Sequence, residues 1–411
     1  MERIILHSDI NNCYASVECL YDATLRGKPV AVGGSAETRH GIVLAKSEQA
    51  KRCGVQTGET LWQARQKCRE LVVVPPHYER YLRYSRLVRA IYRRYTDCIE
   101  PFGLDEAWLD VTGSSALASG TVADEIRRAV RRELGLTVSV GVSFNKIFAK
   151  LGSDLKKPDA VTVIDHTNFR EKIWNLPVDA MLGCGRATAR KLRLCGVQTI
   201  GQLASCDPAM LQARFGKAGE TLWLYANGLD CSRVRPDGEE PVPKSVGHGA
   251  TCVRDLHTAG EVWLVLLSLT QEICKRLHEA ALAASAVQVS VKNNLLFARQ
   301  FQSPLPLPTQ SAMELARAAF ELFCRQYRWE KPVRAVSVRA FRLQAENMPV
   351  QTDLFTDFSR HSRQAQLDET VLAIRRRYGR DSIFNASLLS ETALSHAAPA
   401  FCVLPGTPFC K

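Results

Sequence analysis

The sequence contains no run of about eighteen or more apolar residues, so nothing in it reads as a membrane-spanning helix. Its opening segment, Met1 to Asp9, is too short and too polar for a secretory signal. Paired metal-type cysteines are missing as well. The chain has 14 cysteines, but none forms a CxxC pair, and they are scattered singly from Cys13 to Cys410. That pattern argues against a zinc site or a disulfide framework and for reduced, packed thiols. Together these absences place the expected compartment in the cytoplasm, with no membrane partner. Disorder throughout is excluded too, because hydrophobic residues make up 46% of the chain.

Acidic residues are the scarcer charge, 42 against 54 Lys and Arg, which leaves a formal net charge of +12. The excess is unevenly placed. Residues 244–345 hold 13 basic and 7 acidic residues, half of the whole surplus, whereas residues 346–411 are balanced at 7 each. A basic module of about a hundred residues is the profile of a surface that grips a polyanion.

At 411 residues the chain has room for several domains. Residues 1–22 and 75–165 alternate strand and helix patterns: a strand ending at Asp9, a helix from Asn12 to Tyr21, a long amphipathic helix from Tyr78 to Thr96, strands near Cys98–Phe102 and Ala107–Val111, a helix from Val122 to Leu134 and a strand from Thr137 to Val142. With residues 23–74 set aside as an insertion, the order is β-α-β-β-α-β, a ferredoxin-like split unit. Residues 166–240 read as wholly helical. Residues 241–345 alternate strand and helix again, forming a separate small α+β domain, and Val234 to Lys244 has a linker's proline and charge. The predicted class is a multidomain α+β protein. Residues 346–411 form a C-terminal tail, whose stretch from Glu391 onward has no clear period.

The split unit makes a geometric prediction. Asp9 ends the first strand, and Gly103-Leu104-Asp105-Glu106 turns between the second and third. Topology brings these points to one edge of the sheet, so three carboxylates distant in sequence converge. Adjacent carboxylates repel one another unless cations bridge them. Mg²⁺ takes one or two carboxylates and completes its shell with water and phosphate, so the site suits two such ions. An ordinary solvated turn at Asp105-Glu106 is the competing reading from spacing alone.

The segments from His7 to Glu18, Gly103 to Thr112 and Val140 to Lys150, followed by Lys157-Pro158, resemble the signature segments of Y-family translesion DNA polymerases. The bacterial polymerase IV type is the nearest resemblance, and it covers about 385 of the 411 residues in order. It implies a palm (1–22 and 75–165), inserted fingers (23–74), a helical thumb (166–240) and a little finger (241–345). It also implies metal ligation by Asp9, Asp105 and Glu106, with the Ile10 carbonyl completing one shell and Glu106 catalytic. Tyr14 resembles the steric gate, a ring lying where a ribose 2′-hydroxyl would collide. Asn12, Cys13 and Tyr14, at a helix start, together with Lys51 and Lys157, are the expected nucleotide contacts. The implied partners are primer–template DNA and deoxynucleoside triphosphates, handled by a monomer without a proofreading unit and with low fidelity on damaged templates.

One departure stands out. Where this family offers a hydroxyl, a tyrosine and an arginine to the incoming phosphates, the chain has Ala45, Glu48 and Lys51. Lys51 keeps the charge without the bidentate fork, and Glu48 is expected to turn away or pair with Lys51 or Lys46. Further along, Gly183-Cys184-Gly185-Arg186 through Leu192 has the form of a helix-hairpin-helix, with Gly183, Gly185, Arg186 and Arg190 as DNA-phosphate candidates. Lys244, Lys292, Arg339 and Arg342 are the little-finger candidates. Gln351-Thr352-Asp353-Leu354-Phe355 resembles a sliding-clamp peptide, with Gln351, Leu354 and Phe355 as its contacts and Thr352 departing from the usual leucine. Two other readings are a catalytically silent polymerase-like adaptor at the clamp and a palm-domain nucleotide cyclase.

Overall fold

The computed structural model describes residues 3–35, 39, 41–113, 119–239, 241–351 and 357–389. In chain order, β1 (Ile5–Ile10) and α1 (Cys13–Tyr21) lead into an insertion made of β2 (Val30–Gly33), β3 (Val43–Lys46), α2 (Glu48–Arg52), α3 (Leu61–Lys67) and β4 (Val72–Val74). The chain returns through α4 (Tyr78–Tyr92), β5 (Ile99–Pro101), β6 (Glu106–Asp110), α5 (Ser119–Leu134), β7 (Val138–Ser143), α6 (Lys146–Leu155) and β8 (Val161–Ile164). Five helices follow: α7 (Phe169–Ile173), α8 (Arg186–Leu194), α9 (Ile200–Ala204), α10 (Pro208–Phe215) and α11 (Lys217–Ala226). The rest is β9 (Ser245–Leu256), α12 (Ala259–Glu279), β10 (Leu282–Asn293), β11 (Ala298–Thr309), α13 (Ala312–Gln326), β12 (Val333–Ala345) and α14 (Phe358–Tyr378). Two compact units result, one formed mainly by residues 3–239 and the other mainly by 241–389.

In the first unit the main sheet runs β5-β6-β1-β7-β8. Strand β1 lies between β6 and β7, antiparallel to both, and is buried along its whole length. Set aside β8 and this is the ferredoxin-like order, with β6 between the parallel strands β1 and β5. Helix α4 buries Tyr81, Ser85, Val88, Ile91 and Tyr92, one face at helical spacing. Helix α6 lies unusually close to β7. A side chain at Gly141 would bring a Cβ within 1.9 Å of the Ala149 carbonyl oxygen, and Gly152 faces it from the helix. That approach sets the height from which α6 delivers its lysines to the strand ends.

The insertion forms its own three-stranded sheet, β3-β2-β4, with β2 parallel to β4. Ser47 caps α2, and Thr60 with Gln63 makes a capping box on α3. The first part of the expected linker is tied down rather than loose. The Asp237 amide donates to the Asp97 carbonyl at 2.8 Å, and Arg235 donates to buried Glu100 at 3.1 Å. Glu100 also holds Lys146 at 2.7 Å.

The second unit repeats the β-α-β-β-α-β order with a different strand arrangement, β11-β10-β12-β9, antiparallel throughout. Helices α12 and α13 cover one face, capped by Thr258 and Ser311. Within the tail, α14 is a regular helix held against this unit by Leu372, beside Cys274 and Ala312. The tail stretch from Glu391 lies outside the described residues. Among the described residues no helix is long and apolar enough to cross a membrane.

Candidate active site

Asp9 stands near the C-terminal end of β1, and its register partner across the sheet is Glu106. Gly103, with φ of 91°, supports the turn between β5 and β6. The Ile10 amide then donates to the Asp105 carbonyl at 2.9 Å, pinning that turn to β1. Asp9, Ile10, Asn12, Cys13, Tyr14, Asp105 and Lys157 line one cavity of ≈ 330 Å³, which Leu44, Ala45, Lys46 and Thr57 of the insertion complete. Asp9 and Asp105 therefore face one space, with Glu106 in register beside them.

Burial works against the ionised form of both aspartates. Burial raises the Asp9 pKa to about 6, with Lys157 opposing the shift and Glu106 adding to it. Burial also raises Asp105 to about 6, and there the charges of Asp9 and Glu106 reinforce it. Lys157 Nζ lies 2.7 Å from Asp9 Oδ2 and 2.8 Å from Asp154 Oδ1. Burial works against its charge, but these two carboxylates prevail and its pKa rises. Lys150 Nζ sits 2.8 Å from Glu106 Oε2 without hydrogen-bond alignment. His7 projects from the same face of β1 as Asp9. Its Nδ1 is 2.8 Å from Ser153 Oγ, and its Nε2, 3.4 Å from Glu106 Oε2, has no hydrogen-bond partner among the described residues. Burial and the Lys150 charge hold His7 well below the ordinary histidine range.

These residues fit a divalent cation in chemistry and placement: oxygen ligands, desolvated, at one set of strand ends. Among the described residues no three His, Cys, Asp or Glu side chains are grouped to hold an ion by themselves. A cation here would take one or two carboxylates and complete its shell from phosphate oxygens and water.

Tyr14 stacks on Tyr81 with ring centroids 4.2 Å apart and planes 6° from parallel. The Tyr81 hydroxyl donates to buried Glu18 at 2.6 Å, and Arg80 and His77 hold the same carboxylate at 2.8 and 3.0 Å. The ring over the cavity is thus braced from behind.

Comparison with known proteins agrees along the chain. The impB/mucB/samB family matches residues 8–154, its C-terminal domain matches 243–354, and the thumb domain described for DNA polymerase-iota matches 179–230. The DNA polymerase IV of Acetivibrio thermocellus is 48% identical over 398 residues, covering 96% of this chain and 100% of the relative. The DNA polymerase IV of Pelotomaculum thermopropionicum is 36% identical over 392 residues, with 95% and 96% covered. The chain belongs to the DNA polymerase IV family. It is a DNA-directed DNA polymerase. A solved Y-family DNA polymerase chimera has the same fold, with a TM-score of 0.73 at 24% identity, covering 83% of this chain and 99% of that one.

The remaining expected contacts of this polymerase are placed as follows. Lys51 is half exposed, 4.0 Å from Glu48, and does not line the cavity. Glu48 thus pairs with Lys51, as the departure from the family pattern anticipates. Gly183 has φ of 86° and Gly185 is the N-cap of α8, with Arg186 and Arg190 exposed on that helix. In the second unit Lys244, Lys292 and Arg342 are exposed, while Arg339 donates through Nε to Ser245 Oγ at 2.8 Å. Gln351 is exposed, and Leu354 and Phe355 lie outside the described residues.

Sequence reasoning did not single out Lys46 or Thr57 as cavity residues, nor Tyr81, Glu18, His7 and Lys150 as their surroundings. No spacing marks Lys46 or Thr57, because they meet the palm only once the insertion has folded. The Tyr81 brace had a faint signal in Tyr78, Tyr81 and Tyr84, three tyrosines at i, i+3 spacing on α4.

Proposed function

We propose that Asp9, Asp105 and Glu106 hold two Mg²⁺ ions, with the Ile10 carbonyl in one shell, for nucleotidyl transfer in translesion synthesis on damaged templates. In this reaction the primer 3′-oxygen bonds to the α-phosphorus of a deoxynucleoside triphosphate and the bond to pyrophosphate breaks. The bound cations would lower the pKa of the attacking hydroxyl and neutralise the leaving phosphates. The observation that carries this reading is that Asp9 and Asp105 line one desolvated cavity while Glu106 stands in register with Asp9.

The chain's own residues do the positioning. Tyr14, braced by Tyr81, closes the space a ribose 2′-hydroxyl would need. The first turn of α1, at Asn12, Cys13 and Tyr14, points its amides toward the triphosphate. Lys157 neutralises Asp9 and lies within the cavity an incoming phosphate would enter. Lys51, in the last turn of α2 and outside the cavity lining, is a more distant electrostatic contributor. Gly183, Gly185, Arg186 and Arg190 would grip the DNA backbone without reading bases, as would Lys244, Lys292, Arg339 and Arg342. The enzyme would act as a monomer in the cytoplasm, docked on the sliding clamp through Gln351, Leu354 and Phe355.

Neither the silent adaptor nor the cyclase is favoured by a specific observation. Primer extension past an abasic template base, with and without clamp, tests the proposal. Wild-type protein should extend the primer in Mg²⁺, and Asp9→Ala or Asp105→Ala should abolish extension. Leu354→Ala with Phe355→Ala should remove only the clamp's stimulation. Full extension by either aspartate variant would end the assignment of this site.

A further inference from the structure

Among the described residues, two cations line the cavity, and they differ in what holds them. Lys157 is neutralised by Asp9 and Asp154. Among the described residues no carboxylate lies within ion-pairing distance of Lys46; its Nζ donates to the Thr57 hydroxyl at 3.1 Å, a neutral partner that also lines the cavity. A half-buried ammonium with only a hydroxyl for company keeps most of its charge uncompensated. Burial first, and then the neighbouring charge of Lys51, pull its pKa down against the more distant carboxylates of Glu59 and Glu48. The backbone explains the placement. Lys46 ends β3, where it is the register partner of Ala31, and Thr57 lies in the loop between α2 and α3. The hydrogen bond joins two separate parts of the insertion at the mouth of one space.

We propose that Lys46, oriented by Thr57, binds a phosphate oxygen of the incoming nucleoside triphosphate, supplying from β3 the fingers contact that Ala45 and Glu48 do not provide. The inference rests on the polymerase reading and deepens it. Lys46 is a specificity-determining contact for the triphosphate group, and it is blind to the base because an ammonium meeting phosphate reads charge alone.

The test compares Lys46→Met, Lys46→Arg and Thr57→Val with wild type in single-nucleotide insertion, with Arg52→Met as a charge-loss control on exposed α2. Lys46→Met should raise KM roughly ten- to a hundredfold, the range for losing a charge-assisted hydrogen bond, while kcat changes by less than about threefold. The rise should be the same for all four nucleotides. Lys46→Arg should restore most of the affinity, Thr57→Val should show a smaller loss, and Arg52→Met should match wild type. A binding readout accompanies the kinetics: a non-hydrolysable nucleotide on enzyme held at a dideoxy-terminated primer should lose affinity by the same factor in Lys46→Met. The inhibition constant of inorganic triphosphate, measured separately, should rise in the variant by a similar factor. Unchanged KM in Lys46→Met, a loss that differs among the four bases, or an unchanged inhibition constant for inorganic triphosphate would overturn the inference. Each of those outcomes is read against a wild type that extends primers. A wild type that does not extend them refutes the polymerase reading instead.

Discussion

Replacing Asp105 by Asn should make the metal-free protein more stable while removing its activity. Asp105 titrates near 6 rather than 3.8, first because it is buried and then because Asp9 and Glu106 are close. A folded-state pKa raised above the unfolded value means the native protein binds more protons between these limits. The ionised group therefore weighs against folding at neutral pH and ceases to do so as pH falls through 6 toward 3.8. At about 1.4 kcal/mol per tenfold, the penalty at pH 8 is about 3 kcal/mol. Burying an amide instead recovers part of that, leaving a net gain of about 2 kcal/mol. For a unit of this size the gain corresponds to roughly 4–8 °C in melting temperature. The assay is thermal or urea melting in EDTA at pH 8 and pH 5. The advantage of Asp105→Asn should fall by roughly two-thirds at the lower pH, since wild-type Asp105 is then mostly protonated. Millimolar divalent cation should stabilise wild type more than the variant. A variant no more stable than wild type at pH 8, or an advantage independent of pH, would refute the reasoning.

Other expectations follow from the same geometry. Tyr14→Ala should raise ribonucleotide insertion roughly ten- to two-hundredfold, the range a small group commands in a packed site, with deoxyribonucleotide insertion still measurable by gel extension. Gly141→Ala should cost more than about 4 kcal/mol in urea melts, because its Cβ would strike the Ala149 carbonyl and Ser153 amide of α6. Arg186→Gln with Arg190→Gln should weaken DNA binding equally on unrelated sequences. It should also flatten the salt dependence by about one to two phosphate contacts, measured by fluorescence anisotropy across a salt series.

Much of the site was legible in the sequence because topology does the work. Once residues 23–74 are read as an insertion, β-α-β-β-α-β order alone puts Asp9 opposite the Asp105-Glu106 turn, and the register pairs Asp9 with Glu106. The second unit was readable for the same reason, each strand being long and each helix amphipathic. The short strands β4 and β8 were not: three or four residues carry too little alternation to stand out from loop. Helix α14 escaped because it is polar nearly all round and buries only Leu372. The place of Lys46 and Thr57 in the cavity was invisible for a deeper reason. Family spacing directs attention to Ala45, Glu48 and Lys51, of which only Ala45 lines the cavity, and the rest of that wall is whichever side chains the folded insertion turns inward.

The central claim is that Asp9, Asp105 and Glu106 seat a pair of divalent ions against the triphosphate. Manganese binding followed by electron paramagnetic resonance, on enzyme held with dideoxy-terminated primer–template and the matching nucleotide, measures this directly. Wild-type complexes should take up two Mn²⁺ per chain, and Asp105→Ala should lose the tight sites together with insertion on an unblocked primer. Two Mn²⁺ retained by Asp105→Ala, with insertion at the wild-type rate, would contradict the account.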